Sequence, residues 1–236
     1  MKVCIKSKVL GNMAVVALAG MLVMEVQAEV VLSNIGSTWD AGSGFAGDSR
    51  RGLVFRTGSS ASSIDGLSFS LLNGSDSTRP VVTFSAYLYQ VDGGMHQPTS
   101  LLGSQSDLVA DFGGVTGEFD QQTFSYTVGD LAGLTGVTLA ADTEYAIALG
   151  NSDDTEWEIY WAYVNSSVYS VASGYSYVGA VDSSDGGALW EDRLSGNYIA
   201  SISTQEVVPE PATALSLMLG GLVVTGYRRI RKSYGL

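Results

Sequence analysis

The chain has 236 residues, 24 acids against 12 lysines and arginines, one cysteine and one histidine. That length holds one domain of ordinary size once distinct ends are set aside. The acidic balance repels phosphate backbones and argues against nucleic acid as a partner, and a lone cysteine and histidine exclude disulfides and the usual zinc ligand sets.

In chain order, Met1 to Lys8 carries Lys2, Lys6 and Lys8 and no acid. Val9 to Met24 is apolar apart from Gly11, Asn12 and Gly20, and Val26-Gln27-Ala28 follows. A basic start, a short apolar run and a small-residue exit make residues 1–28 a secretory signal peptide, cut between Ala28 and Glu29. The alternative, an N-terminal anchor, needs about 20 apolar residues, and this run has 16. Cleavage removes Cys4, so the exported chain has no thiol nucleophile.

Residues 29–208 hold 22 of the acids and only Arg50, Arg51, Arg56, Arg79 and Arg193, a net charge of −17. An acidic surface keeps an exported protein soluble. Period-two alternation recurs here. Leu67, Phe69 and Leu71 alternate with serines, Val82, Phe84, Ala86 and Leu88 with Thr83, Ser85, Tyr87 and Tyr89, Phe124, Tyr126 and Val128 with Ser125 and Thr127, and Tyr145, Ile147 and Leu149 with alanines. Side chains two apart share a strand face, so each run offers one apolar side to a core. Asn73-Gly74-Ser75-Asp76, Asp92-Gly93-Gly94, Phe112-Gly113-Gly114, Ala141-Asp142-Thr143, Asn151-Ser152-Asp153-Asp154 and Asp185-Gly186-Gly187 punctuate the runs with residues that tolerate tight turns. The pattern predicts an all-β chain: an antiparallel β-sandwich of jelly-roll type over 29–203, with Phe69, Phe84, Leu88, Ile147 and Leu149 in its core. Residues 204–211 read as a linker.

From Pro209-Glu210-Pro211 the chain enters Ala212–Gly226, fifteen residues without a charge, then Tyr227 and the cations Arg228, Arg229, Arg231 and Lys232. As a helix the uncharged run is about 22 Å long, short of a ~30 Å hydrocarbon core unless its flanks extend it. The cations keep their end cytoplasmic and place 29–208 outside, in agreement with the N-terminal signal.

Pro209-Glu210-Pro211, the apolar segment after it and the closing basic cluster resemble the PEP-CTERM sorting signal. That resemblance spans about 25 residues. It implies an exported protein handled by an exosortase-type membrane protease, held at the inner membrane by residues 212–236 before processing, and associated with exopolysaccharide or the envelope. Within the body, Gly52-Leu53-Val54-Phe55, Ile64-Asp65-Gly66-Leu67-Ser68-Phe69, Val82 to Tyr89 and Leu139 to Tyr145 resemble the choice-of-anchor domains, R type, that accompany such tails. The resemblance implies a non-catalytic module.

Little else points to chemistry. His96 sits in Gly93-Gly94-Met95-His96-Gln97-Pro98, which reads as a solvated loop with no nucleophile elbow nearby. Glycoside hydrolysis needs only two carboxylates, and Glu156, Glu158, Glu191 and Asp192 lie beside tryptophans. This leaves a secreted polysaccharide-active enzyme as the rival reading. Asp182 to Gly187 and Asn151 to Asp154 offer hard oxygens that suit either a structural calcium ion or Asx turns. The densest aromatic stretch places Trp157, Ile159, Trp161 and Tyr163 on one strand face, which the pattern assigns to the core. Tyr160, Tyr169 and Tyr177 remain as candidate glycan contacts. No cofactor is expected.

Overall fold

In a computed structural model of the chain, the described residues are 28–74, 81–113, 119–150, 159–165, 168–193 and 196–207. They belong to one compact unit, Gln27–Val207. Residues 1–27 of the expected signal peptide, the Pro-Glu-Pro motif, the apolar segment and the basic cluster lie outside them.

The described residues are nearly all β, and every strand pair among them is antiparallel. Strands are numbered in chain order. Nine of them, among the described residues, form the first sheet. Its centre is β4 (Ser62–Asn73). One edge of β4 pairs with β15 (Ala200–Glu206) and then β10 (Ile159–Val164); the other pairs with β7 (Gln121–Thr127) and β8 (Thr138–Leu139). Beyond β15 lie β1 (Glu29–Ser33) and β11 (Ser170–Val171), while β2 (Ala41–Gly44) and β14 (Asn197–Tyr198) pair with β10. The second sheet runs β13 (Glu191–Asp192), β12 (Ser176–Ser183), β3 (Arg50–Arg56), β9 (Glu144–Gly150), β5 (Val81–Asp92) and β6 (Gln97–Asp111). A single turn of helix, α1 (Ala132–Thr135), buries Leu134 beside the equally buried Leu131.

The alternating runs bury the expected residues: Phe69, Phe84, Leu88, Ile147 and Leu149 are all at most 2% exposed. Phe84 of the second sheet meets Phe69 and Tyr126 of the first edge-on, with ring centroids 6.3 and 5.8 Å apart. The inner faces of both sheets therefore share one core. Ile159 and Trp161 are fully buried in it, on the face the pattern assigned to the core.

Three details differ from the sequence reading. Strand β9 is buried on both faces, because Ala146 and Ala148 lie under an outer cluster that Trp190 covers. Val128 falls past the end of β7 and is exposed. Thr204, Gln205 and Glu206, expected in a linker, are the last residues of β15 and pair with Ile64, Ser63 and Ser62. Thr204 is buried there, so the backbone has a ladder to complete and a core to face before it can leave the sheet.

Candidate functional site

The outer face of the first sheet holds a groove of about 270 Å³, built where two β-bulges meet. Ser203 of β15 stands opposite Val30 on one side and Gly66 on the other. On the β1 side the register then jumps from Val30 to Leu32; on the β4 side it jumps from Gly66 to Ile64. A bulge inserts one unpaired residue, raises the local twist and re-aims side chains. Here the extra residues are Val31, which turns into the core, and Asp65, which lines the groove.

Asp65 is isolated in a second sense. On the other edge of β4 the pairing passes from β7, which reaches Gly66, to β8, which begins at Ser63. Between Ser62 and Asn73, Asp65 alone has no ladder partner on either edge among the described residues. The bulge also accounts for the spacing of Ile64 and Leu67. Both are buried although three apart, which regular alternation forbids.

Hydroxyls share the groove with the carboxylate. Ser68, Thr127, Ser201 and Ser203 line the groove, and the exposed Val30 and Val128 flank it. Gly66 forms its floor: a Cβ there would lie 2.8 Å from Ser203 Oγ and 3.3 Å from the Tyr126 carbonyl oxygen. Ser203 donates to the Gly66 carbonyl at 3.3 Å, Ser68 shares a 2.8 Å hydrogen bond with Ser125, and Thr127 donates to Asp130 at 3.0 Å. Among the described residues, the side chains of Asp65 and Ser201 make no hydrogen bond or ion pair, and no cation lines the groove. The sequence hint was a glycine inside an alternating run, Asp65-Gly66, a common sign of a bulge or close approach.

The three tyrosines singled out from sequence are elsewhere and not together. Tyr160 lies on the outer face of the first sheet, half-buried against Phe119 with centroids 5.3 Å apart, in a cluster that includes Leu72 and Trp39. Tyr169 and Tyr177 stack on each other at 4.3 Å in the core. Tyr169 is 6% exposed and donates its hydroxyl hydrogen to the Tyr198 carbonyl, so it offers no ring face to a ligand. Tyr169 is therefore a core residue and not a ligand contact. Burial pushes the Tyr177 hydroxyl up to about 12, with the Arg193 charge pulling the other way.

Next to that stack, polar groups tie the two sheets. Tyr198 of β14 donates to Asp182 of β12 at 2.7 Å, and Arg193 donates to the other Asp182 oxygen at 3.0 Å and to Ser43 of β2 at 2.8 Å. Arg51 of β3 also donates to Ser43, at 2.9 Å. The Arg193 guanidinium lies 4.3 Å from the Tyr163 ring centroid. Asp182 is thus held by an inter-sheet lock. Asp185 in the following turn accepts from Ser183 and from the Ala188 and Leu189 amides at 2.8–3.0 Å. The Leu189 amide, then the Ser183 hydroxyl, hold its carboxyl below the usual range. Those bonds and the positive φ of Gly186 and Gly187 make this an Asx-type turn. No group of three His, Cys, Asp or Glu that could hold a metal occurs among the described residues. Asn151 to Asp154 lie outside them.

Of the carboxylates considered for hydrolysis, Glu156 and Glu158 lie outside the described residues. Glu191 and Asp192 are both exposed in β13. His96 is not a purely solvated loop residue: with φ +55° at the β5–β6 turn, it places Nδ1 2.7 Å from Glu144 Oε2, and Glu144 is nearly buried. Among the described residues no helix is long and apolar enough to cross a membrane. Compared with known proteins, the chain matches no family model and has no significant match to a curated protein.

Proposed function

We propose that the protein is a non-catalytic, exported surface or matrix protein, sorted by an exosortase-type membrane protease and associated with exopolysaccharide or the envelope. One observation carries the reading. Pro209-Glu210-Pro211, the uncharged Ala212–Gly226 and the cations Arg228, Arg229, Arg231 and Lys232 occur in sorting order, in a chain that opens with a secretory signal. The body fits this role as a β-sandwich of jelly-roll type, a rigid display module without disulfides. Strand β1 begins at Glu29, so a cut after Ala28 leaves its ladder to β15 whole. In the precursor, residues 212–236 hold the protein at the inner membrane with the basic end cytoplasmic.

The test separates a recognised signal from a passive anchor. An anchor depends on apolar length and flanking cations, so Glu210→Ala leaves its behaviour unchanged. A processed signal depends on the tripeptide, so the same change leaves a longer, membrane-retained precursor in the native host. Mass spectrometry of both termini and fractionation of parent and variant decide the matter. Identical processing of the two would reduce the tail to an anchor and remove the exopolysaccharide link.

A further inference from the structure

The groove around Asp65 has features that a fold does not need for itself. Interior bulges break ladder hydrogen bonds, and here two occur beside the same residue, Ser203. Asp65 ends half-buried, ionisable and, among the described residues, without a partner, and so does the hydroxyl of Ser201, which stands opposite Ser68 further along the same groove. A ligand able to donate hydrogen bonds would give this carboxylate the partners that the described residues do not supply. Gly66 keeps the floor low, because any side chain there would press on Ser203 and close the space.

The lining selects the ligand. A carboxylate with neighbouring hydroxyls suits a polyhydroxylated molecule, whose hydroxyls donate to Asp65 and exchange hydrogen bonds with Ser201 and Ser68. The exposed Val30 and Val128 offer apolar flanks to its C–H surface. No cation lines the groove among the described residues and the surrounding 29–208 stretch is strongly acidic, so anionic sugars are repelled. One carboxylate is too few for a calcium ion, which takes six to eight oxygen ligands. At about 270 Å³ the groove lies just below the ~300–1,000 Å³ of sites for drug-sized ligands, which suits one sugar ring rather than a longer stretch of glycan.

We propose that this groove binds a neutral sugar residue of a glycan, with Asp65 as the hydrogen-bond acceptor that orients it. The choice of a glycan rests on the exopolysaccharide reading above, whereas the geometry is independent of how the tail is processed. Purified mature protein is titrated with cellotetraose, laminaritetraose, mannotetraose, polygalacturonate and the exopolysaccharide of the producing cells, by calorimetry and by amide-shift mapping. The expected result is saturable binding of at least one neutral probe or of the exopolysaccharide. Shifts should centre on Gly66, Thr127 and Ser203, and affinity should fall at least tenfold in Asp65→Ala with unchanged melting. Val128→Asp, which alters only an exposed flank, should weaken binding as well. Absence of binding to every probe overturns the proposal, as does tighter binding of polygalacturonate than of the neutral probes. Binding that survives Asp65→Ala and Val128→Asp but is lost in Tyr160→Ala overturns it too, while leaving the exopolysaccharide association intact. The tail-processing assay reads the sorting hypothesis separately.

Discussion

Ser203 stands opposite Gly66 in the β15–β4 ladder, and its hydroxyl occupies the space that a Gly66 side chain would enter. The contact fixes how deep the groove can be, and it makes the two positions energetically dependent on each other. Residues in contact show non-additive effects, and a double-mutant cycle measures the coupling. Gly66→Ala alone should destabilise the protein by about 1 kcal/mol, the small-to-large cost at a tight site. In a Ser203→Ala background the added methyl meets no hydroxyl, and most of that loss should disappear. Urea denaturation of the four proteins checks this; additive effects would mean that the pair does not touch.

Phe84 is one of the rings through which the two sheets meet, in contact with Phe45, Phe69 and Tyr126. Truncation to alanine removes that bridge and leaves a cavity whose walls belong to both sheets. Phe84→Ala should cost about 3–5 kcal/mol. A variant as stable as the parent by thermal or urea unfolding would contradict the shared core.

Alkaline pH should unfold the domain through its tyrosines. Burial raises the hydroxyls of Tyr126, Tyr169 and Tyr198 well above their ordinary value and that of Tyr177 to about 12. The folded state therefore keeps these protons at a pH where the unfolded chain, titrating near 10, releases them. Their contribution is intact below pH 10 and is lost as pH rises towards 12 and beyond. In that window each such tyrosine lowers stability by about 1.4 kcal/mol per pH unit. Tyrosinate absorbance and far-UV circular dichroism, followed together from pH 9 to 13, should show a late ionisation step that coincides with loss of strand signal. Full ionisation with the fold intact would refute it.

The His96–Glu144 contact joins the β5–β6 turn to the start of β9, two segments 48 residues apart in sequence. A hydrogen bond to a carboxylate contributes about 1.5–3 kcal/mol. His96→Ala strands a nearly buried carboxylate, so the single substitution should cost about as much as Glu144→Gln and His96→Ala combined. A coupling energy near zero in that cycle would show that the contact does not hold the turn.

The amino-acid sequence by itself determined the strands that build the core. Alternation at Leu67, Phe69 and Leu71 and at Val82 to Leu88 is a local property, because a strand has a period of two and one face must leave water. Turn residues such as Asp92-Gly93-Gly94 and Asp185-Gly186-Gly187 were equally legible, since the backbone needs them wherever they occur. Only the tertiary structure decided the exceptions. Ala146 and Ala148 are buried because Trp190, more than 40 residues later in sequence, folds over them. Tyr169 turns inward because Tyr177 and the Tyr198 carbonyl receive it. Asp65 sits unpaired in a groove because β15 and β4, more than 130 residues apart, pair with one residue out of step. Periodicity reports which face a side chain takes within its own strand. Register, bulges and the covering of an outer face depend on which distant strand arrives beside it and at what offset, and no local pattern encodes that.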